Sequence, residues 1–148
     1  MIYKKIDDIK VQKVDANNDG EKSNLINDLQ NYMDDFADPL QEVGEAVNSA
    51  SKTGFIIEAT NGKNRLGLAV VTRSPFDHFQ PKYHLAYIAT SPQARGKGIG
   101  RILLETVMEL TDNSVALHVG IANKNAISFY KNMGWKSSYL RMVPEPAA

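Results

Sequence analysis

Apolar side chains recur every three or four positions in the N-terminal part of the chain, which is the spacing of an amphipathic helix. The first such stretch starts at Ser23 and carries Leu25, Ile26, Leu29, Met33 and Phe36. Asp38-Pro39 interrupts it, because proline cannot continue a helix, and a second helix is predicted from Leu40 to Ser51. A looser alternation before both helices, from Ile9 to Val14, predicts a first strand.

Three stretches in the middle of the chain predict strands. Gly54 to Ala59 and Leu66 to Thr72 are joined across Asn61-Gly62, a residue pair that favours the tight turn of a β-hairpin. A loop with two prolines, Arg73 to Lys82, separates this hairpin from the third strand, Tyr83 to Thr90. The middle of the chain is therefore predicted to form antiparallel sheet.

The C-terminal half alternates between helix and strand. Apolar residues on one face predict a helix over Ile99 to Leu110, and Val115 to Ile121 predicts a strand. Asn125 to Met133 predicts a further helix, which Gly134 ends, and Trp135 to Val143 predicts a last strand. The whole pattern predicts a mixed α/β (α+β) fold, in which helices pack on a largely antiparallel sheet.

Composition narrows the classes of protein. The chain has 148 residues, of which 43% are hydrophobic, so residues 1–148 are predicted to form a single domain. Lys plus Arg and Asp plus Glu number 17 each, which argues against nucleic acid or an anionic membrane as a partner. There is no Cys for a disulfide, a thiolate metal site or a nucleophile, and no apolar run reaches the roughly 20 residues of a membrane span. Met1 to Lys5 also lacks the apolar stretch of a signal peptide, so we expect a cytoplasmic protein.

A glycine-rich turn, Arg95-Gly96-Lys97-Gly98-Ile99-Gly100, stands between a predicted strand and a predicted helix. Backbone N–H groups at a helix N-terminus attract phosphate, and glycines allow its close approach, although such a turn can also simply connect two elements. The known nucleotide loops do not fit. No Gly-Lys-Ser/Thr of a P-loop is present, and the turn follows antiparallel strands, unlike that of a dinucleotide-binding fold.

Two blocks of residues resemble the GNAT superfamily of N-acetyltransferases. Arg95, Gly98 and Gly100 match the family motif Arg/Gln-x-x-Gly-x-Gly/Ala, with a frequent extra glycine at Gly96. The second block consists of Leu117-His118-Val119, Asn123, Ala126, Phe129-Tyr130 and Gly134-Trp135. The blocks together cover about Leu85 to Trp135. Thr90 in place of the usual Val and Trp135 in place of Phe are mild departures.

The resemblance implies a mostly antiparallel sheet of six to seven strands, splayed in a V and flanked by about four helices. Acetyl-CoA would lie in the split between Leu85–Thr90 and Val115–Ile121, and no metal is expected. The implied cofactor-binding residues fall in three groups: Ile88, Ala89 and Thr90 along the pantetheine arm; Arg95, Gly96, Lys97, Gly98, Ile99, Gly100 and Arg101 around the pyrophosphate; and Asn123 and Tyr130 in the second block.

The resemblance further implies direct acetyl transfer to an amine, with Tyr130 as the general acid, because a phenol with a pKa of about 10 carries a proton at neutral pH. Packing alone also explains an aromatic residue on this apolar stripe. His84 is the first candidate for a base, and on a regular strand it would share a face with Ala86, Ile88 and Thr90. The candidates behind it are Glu58, Asp77 and His118. If the amine releases its proton to bulk water, the protein needs no dedicated base.

The acceptor is expected to be a small-molecule amine or a protein amino group. Carboxylates cluster on and between the two predicted N-terminal helices, at Asp34, Asp35, Asp38, Glu42 and Glu45. They favour a cationic acceptor, although such a cluster is usually a solvated face. The alternative function is a non-catalytic CoA-sensing or partner-binding module that retains the cofactor cleft. The oligomeric state stays open, with a homodimer as one of the states considered.

Overall fold

The computed structural model describes residues 1–34 and 37–146. These residues form two compact units, Met1–Leu117 and the segment that starts at His118. Within the described ranges, no helix is both long enough and apolar enough to cross a membrane.

The first unit is built on a six-stranded sheet with the strand order β1-β2-β3-β4-β5-β6. Its strands are β1 (Ile2–Ile6), β2 (Ile9–Lys13), β3 (Phe55–Thr60), β4 (Arg65–Arg73), β5 (Tyr83–Thr90) and β6 (Val115–Ala116). Neighbouring strands are antiparallel from β1 to β5, and β6 is parallel to β5. The helices are α1 (Asp19–Met33), α2 (Leu40–Thr53), α3 (Ile99–Leu110) and, in the second unit, α4 (Lys124–Asn132). The predicted mixed α/β fold with a mostly antiparallel sheet is confirmed.

Helices cover both faces of the sheet, and β4 shows how. Leu68 and Val70 are fully buried in a core that includes Leu29 of α1 and Val47 of α2. Side chains alternate between faces along a strand, so Gly67 lies on the opposite face. A Cβ on Gly67 would lie 2.9 Å from side-chain atoms of both Ile99 and Leu103 of α3. The missing side chain of Gly67 therefore allows α3 to pack directly on β4.

Helix α1 begins earlier than predicted, at Asp19 rather than Ser23, because of a reciprocal cap. The Glu21 backbone N–H donates to Asn18 Oδ1 at 2.9 Å, and the Asn17 backbone N–H donates to Glu21 Oε2 at 2.8 Å. These bonds satisfy backbone donors that a helix start leaves without partners. Phe36, predicted on the same helix, and Asp35 lie outside the described residues.

The predicted hairpin is confirmed as β3 and β4. Asn61 Oδ1 accepts hydrogen bonds from the backbone N–H groups of Lys63, at 2.9 Å, and Asn64, at 2.8 Å. Gly62 adopts a φ of +92°, a value that side chains with a Cβ disfavour. The Asn-Gly pair thus closes the turn through a side-chain acceptor and a left-handed glycine.

Three predictions about strands were wrong. The prediction of one N-terminal strand missed β1, which has no buried residue and is held by main-chain pairing with β2. The strand predicted over Val115 to Ile121 is confined to Val115–Ala116. No strand forms over Trp135 to Val143, where Tyr139 and Leu140 are 93% and 83% exposed. An apolar sequence stabilises a strand only where a neighbouring surface buries it.

Candidate functional site

The centre of the candidate site is a β-bulge in β5. Val70 of β4 pairs with Tyr87, whereas the next residue, Val71, pairs with Leu85. Ala86 is therefore an extra residue on β5, and an extra residue reverses the alternation of side chains beyond it.

Because of the bulge, His84 lies on the other face of the sheet from the one predicted. Residues that are paired across two strands place their side chains on the same face of the sheet. His84 pairs with Thr72, which shares a face with Val70 and therefore with Tyr87. His84 thus lies on the α1/α2 face with Tyr87 and Ala89, while Ile88 and Thr90 lie on the α3 face. The expectation that His84 shares a face with Ile88 and Thr90 was wrong, because β5 is not regular.

The outer edge of β5 opens directly after His84. The parallel ladder between β5 and β6 consists of the pairs Tyr83–Val115 and His84–Ala116, and Leu85 to Thr90 extend past it. On the other edge, Ile88, Ala89 and Thr90 pair with β4. Alternate backbone groups of a strand point to each edge, so this segment presents donors and acceptors beyond the end of β6. This is where the resemblance predicts the sheet to open.

The glycine-rich turn forms an uncapped helix start. A 3-10 helix, Pro92–Ala94, leads into it, and Gly98 is the N-cap residue of α3, with φ +77° and ψ 16°. The first helical hydrogen bond joins the Ile102 N–H to the Gly98 carbonyl at 3.1 Å. Among the residues that the structure describes, no side chain caps α3, and the first turn of α3 contains no acidic residue. The N–H groups of Ile99, Gly100 and Arg101 therefore start the helix without a capping side chain, and such a start attracts anions.

Backbone conformation explains two glycines of the turn. Gly96 and Gly98 both have a positive φ, of +80° and +77°, and an added Cβ on either would have no atom of the described residues within 4 Å. The space beside them is open, so glycine is needed for the left-handed backbone rather than for lack of room.

The basic side chains of the turn differ in their partners. Arg95 donates from Nη2 to the backbone carbonyl of Tyr32, in the last turn of α1, at 2.8 Å. Arg101 pairs with Glu105 one helical turn later, with 3.1 Å between Nε and Oε1, and Lys97 is exposed. Arg95 thus connects the turn to α1, while Lys97 and Arg101 add positive charge at the surface.

In the second unit, Asn123 caps α4. Its Oδ1 accepts from the Ala126 backbone N–H at 3.2 Å, which accounts for an asparagine directly before α4. Asn123 and Tyr130 belong to this unit, whereas β5 and the glycine-rich turn belong to the first.

Tyr130 lies among aromatic rings. Its ring centroid is 5.3 Å from that of Phe129 and 5.8 Å from that of Trp135. Burial raises the pKa of the Tyr130 phenol above its ordinary value of 10. The phenol therefore keeps its proton at neutral pH and can act as a hydrogen-bond or proton donor.

The other base candidates differ in their surroundings. Glu58 Oε1 pairs with Arg65 Nε at 2.8 Å, and its Oε2 accepts from Gln12 Nε2 at 2.7 Å, so both carboxylate oxygens are engaged. Asp77 and His118 are exposed. In the parts of the chain that the structure describes, no three His, Asp or Glu residues are grouped as a metal site.

One contact was not predicted from the sequence. The Tyr87 hydroxyl donates to Asp38 Oδ2 at 2.8 Å, across 49 residues of sequence. Of the predicted acidic cluster, Asp38 is half-buried, whereas Asp34, Glu42 and Glu45 are exposed, and Asp35 is outside the described residues. No local pattern identifies Tyr87, because its contact with Asp38 joins residues that are distant in sequence.

Residues 23–135 match the model of a protein family described as the acetyltransferase (GNAT) family. An uncharacterized N-acetyltransferase of Methanocaldococcus jannaschii is 38% identical over 65 residues, covering 38% of this chain and 29% of that protein. The chain spans less than a third of the length of the curated relatives that it matches.

Two solved structures share the fold. The ribosomal-protein-S18-alanine N-acetyltransferase from Escherichia coli aligns over 88% of this chain and 79% of its own, with a TM-score of 0.68 and 17% identity. A chain of the NatC complex bound to Gag peptide and CoA aligns over 91% of this chain and 86% of its own, with a TM-score of 0.66 and 17% identity.

Proposed function

The chain belongs to the acetyltransferase (GNAT) family, and from this premise we propose that it transfers the acetyl group of acetyl-CoA to a primary amine. The observation that carries the proposal is the uncapped start of α3 behind two left-handed glycines, directly after a bulged strand with an open outer edge. The family match spans residues of both compact units, so we further propose that residues 1–148 act as one domain.

The residues of the first unit suit the two ends of acetyl-CoA. The N–H groups at the start of α3, with Lys97 and Arg101 beside them, would hold the pyrophosphate. Backbone groups of Ile88, Ala89 and Thr90 would pair with the amide-containing pantetheine arm, as an added strand pairs with a sheet edge. Asn123 is likewise proposed as a cofactor-binding residue, through its side-chain amide N–H groups, since its Oδ1 is the atom that caps α4.

Acetyl-CoA supplies the acetyl group as a thioester, whose thiolate needs a proton when a neutral amine displaces it. We assign the donation of that proton to Tyr130, because burial holds its pKa above 10 and keeps the phenol protonated at neutral pH. His84 is the proposed base for the incoming ammonium group, on the α1/α2 face beside the bulge.

The kcat/KM against pH profile tests these two assignments. We expect Tyr130→Phe to lower kcat at least about tenfold at every pH below 10, while the Kd for acetyl-CoA changes little. Tyr139→Phe is the matched control, because Tyr139 lies in the same unit and is 93% exposed. His84→Gln should lower kcat/KM at neutral pH, since a glutamine amide cannot take the proton of the ammonium group. A Tyr130→Phe variant with the turnover of the wild type removes Tyr130 from the mechanism.

The acceptor is proposed only as a primary amine, on a small molecule or on a protein. The names of the two structural neighbours describe a protein N-acetyltransferase and a complex with a peptide, which makes a protein amino group a reasonable first choice. The test is acetyl-CoA-dependent release of free thiol in the presence of an amine panel, including basic and neutral peptides, with the product mass measured. Binding of acetyl-CoA without amine-dependent thiol release would support the non-catalytic CoA-binding function instead.

A further inference from the structure

The C-terminal end of α1 is paired with a cation from the glycine-rich turn. The structure describes α1 over its full length, and its last turn contains no basic residue of its own. The last carbonyl groups of a helix lack intrahelical partners and carry a partial negative charge. Arg95 donates from Nη2 to one of them, the carbonyl of Tyr32, at 2.8 Å. The turn therefore supplies the positive charge that the end of α1 favours.

Two side chains fix the C-terminal half of α1 on the sheet. The Tyr32 hydroxyl donates to the backbone carbonyl of Arg65 in β4 at 3.1 Å. Burial raises the pKa of the Tyr32 phenol, so this donor keeps its proton at neutral pH. The Arg65 side chain pairs with Asp28 of α1 and with Glu58 of β3, both at 2.8 Å. The end of α1 is thus a fixed point to which Arg95 attaches the turn.

The residues that follow Arg95 are exposed. Gly96, Lys97 and Gly98 all lie at the surface, and in the described part of the chain no atom would lie within 4 Å of a Cβ on either glycine. Exposed glycines have many accessible backbone conformations, and ordering them on a ligand reduces the free energy of binding. A side chain that holds the start of the turn before the ligand binds makes this reduction smaller.

We propose that Arg95 is a positioning residue for the cofactor: its guanidinium holds the start of the glycine-rich turn against the end of α1 and does not contact the pyrophosphate. The inference rests on the proposed function, in which N–H groups at the start of α3 bind that pyrophosphate. It gives Arg95 a different role from Lys97 and Arg101, whose charges act on the phosphates directly, although the family resemblance implies cofactor contact for all three.

Isothermal titration calorimetry with acetyl-CoA compares Arg95→Ala with Lys97→Ala at low and high salt. We expect Arg95→Ala to raise the Kd about fivefold to tenfold, the effect of losing about one hydrogen bond, and most of this increase should remain at high salt. The increase caused by Lys97→Ala should shrink, because salt screens attraction between exposed charges. With saturating acetyl-CoA, the kcat of Arg95→Ala should stay within about twofold of the wild type.

Tyr32→Phe tests the route through α1, because this variant keeps the backbone carbonyl that Arg95 contacts and Tyr32 is not among the proposed cofactor-binding residues. Loss of the Tyr32 hydroxyl should loosen the end of α1 and raise the Kd for acetyl-CoA about twofold to threefold. In the Arg95→Ala background, where the turn is no longer attached to α1, Tyr32→Phe should change the Kd little. Tyr139→Phe is the matched control on an exposed tyrosine and should bind acetyl-CoA like the wild type.

Hydrogen exchange without ligand separates this inference from the proposed function. In Arg95→Ala, amide exchange should accelerate in peptides covering residues 29–34 and 95–101 and remain unchanged in β3. Unchanged affinity in Arg95→Ala, a loss of affinity that disappears at high salt, additive effects of Arg95→Ala and Tyr32→Phe on binding, or unchanged exchange in both peptides overturns the positioning role. If the wild type does not bind acetyl-CoA, the proposed function fails, and exchange in the two peptides still decides whether Arg95 holds the turn against α1.

Discussion

A charge placed at Gly98 tests the anion site at the start of α3. Gly98 is exposed and has a φ of +77°, and in the part of the chain that the structure describes no atom lies within 4 Å of an added Cβ. Gly98→Asp and Gly98→Asn therefore differ mainly in one negative charge, because both side chains have the same shape. Both also tolerate the left-handed conformation better than most residues, so both should fold.

The size of the charge effect follows from Coulomb's law. A carboxylate about 5 Å from one phosphate charge is repelled by about 0.8 kcal/mol in water and about 3 kcal/mol at an effective dielectric constant of 20. Because Gly98 is exposed, the lower part of this range applies. We expect Gly98→Asp to bind acetyl-CoA about 1–2 kcal/mol more weakly than Gly98→Asn, or about fivefold to thirtyfold in Kd.

Isothermal titration calorimetry at low and high salt measures this difference. It should shrink as salt is added, since salt screens charges at the surface. Gly62→Asp is the matched control: Gly62 has a φ of +92°, open space around it and a place in the β3–β4 hairpin. That variant should lose a similar amount of stability and no affinity. Equal Kd values for Gly98→Asp and Gly98→Asn would refute the placement of the pyrophosphate at α3.

Two further predictions concern stability and the second block. Gly67→Ala should destabilise the fold by about 1–3 kcal/mol, since the new Cβ would lie 2.9 Å from side-chain atoms of Ile99 and Leu103. Gly44→Ala is the control and should be neutral or stabilising, because its Cβ would lie 3.7 Å from Ile26. Equal melting temperatures of the two variants would contradict the close packing of α3 on β4. Asn123→Ala should lower the free energy of unfolding by about 0.5–2 kcal/mol, because α4 loses its cap. Asn123→Asp should keep the stability of the wild type but bind acetyl-CoA more weakly. Full acetyl-CoA affinity in the Asp variant would remove Asn123 from the cofactor site.

Local patterns in the sequence were sufficient for much of the fold. The β3–β4 hairpin was predicted from Asn61-Gly62, because this residue pair strongly favours a tight turn. Strand β5 was predicted with the observed bounds, Tyr83–Thr90, and α3 and α4 from their apolar stripes. The glycine-rich turn was predicted as a helix start, which its left-handed Gly98 confirms.

Features that depend on distant partners were not predictable in the same way. Strand β1 exists through its pairing with β2, and Trp135 to Val143 lacks a surface that would bury it as a strand. The bulge at Ala86 leaves no sign in the alternation of β5, so the face of His84 was predicted wrongly. The contact between Tyr87 and Asp38 joins residues that are 49 positions apart in sequence, and no local pattern shows it.

The stoichiometry of acetyl transfer by the purified protein tests the proposed function most directly. Free thiol and acetylated amine are measured in the same reaction with acetyl-CoA and each member of the amine panel. Direct acetyl transfer predicts one acetylated amine for each thiol released, at a rate that depends on one class of amine and falls in Tyr130→Phe. Thiol release that is independent of amine, or none with any amine despite tight acetyl-CoA binding, would contradict acetyl transfer as the function.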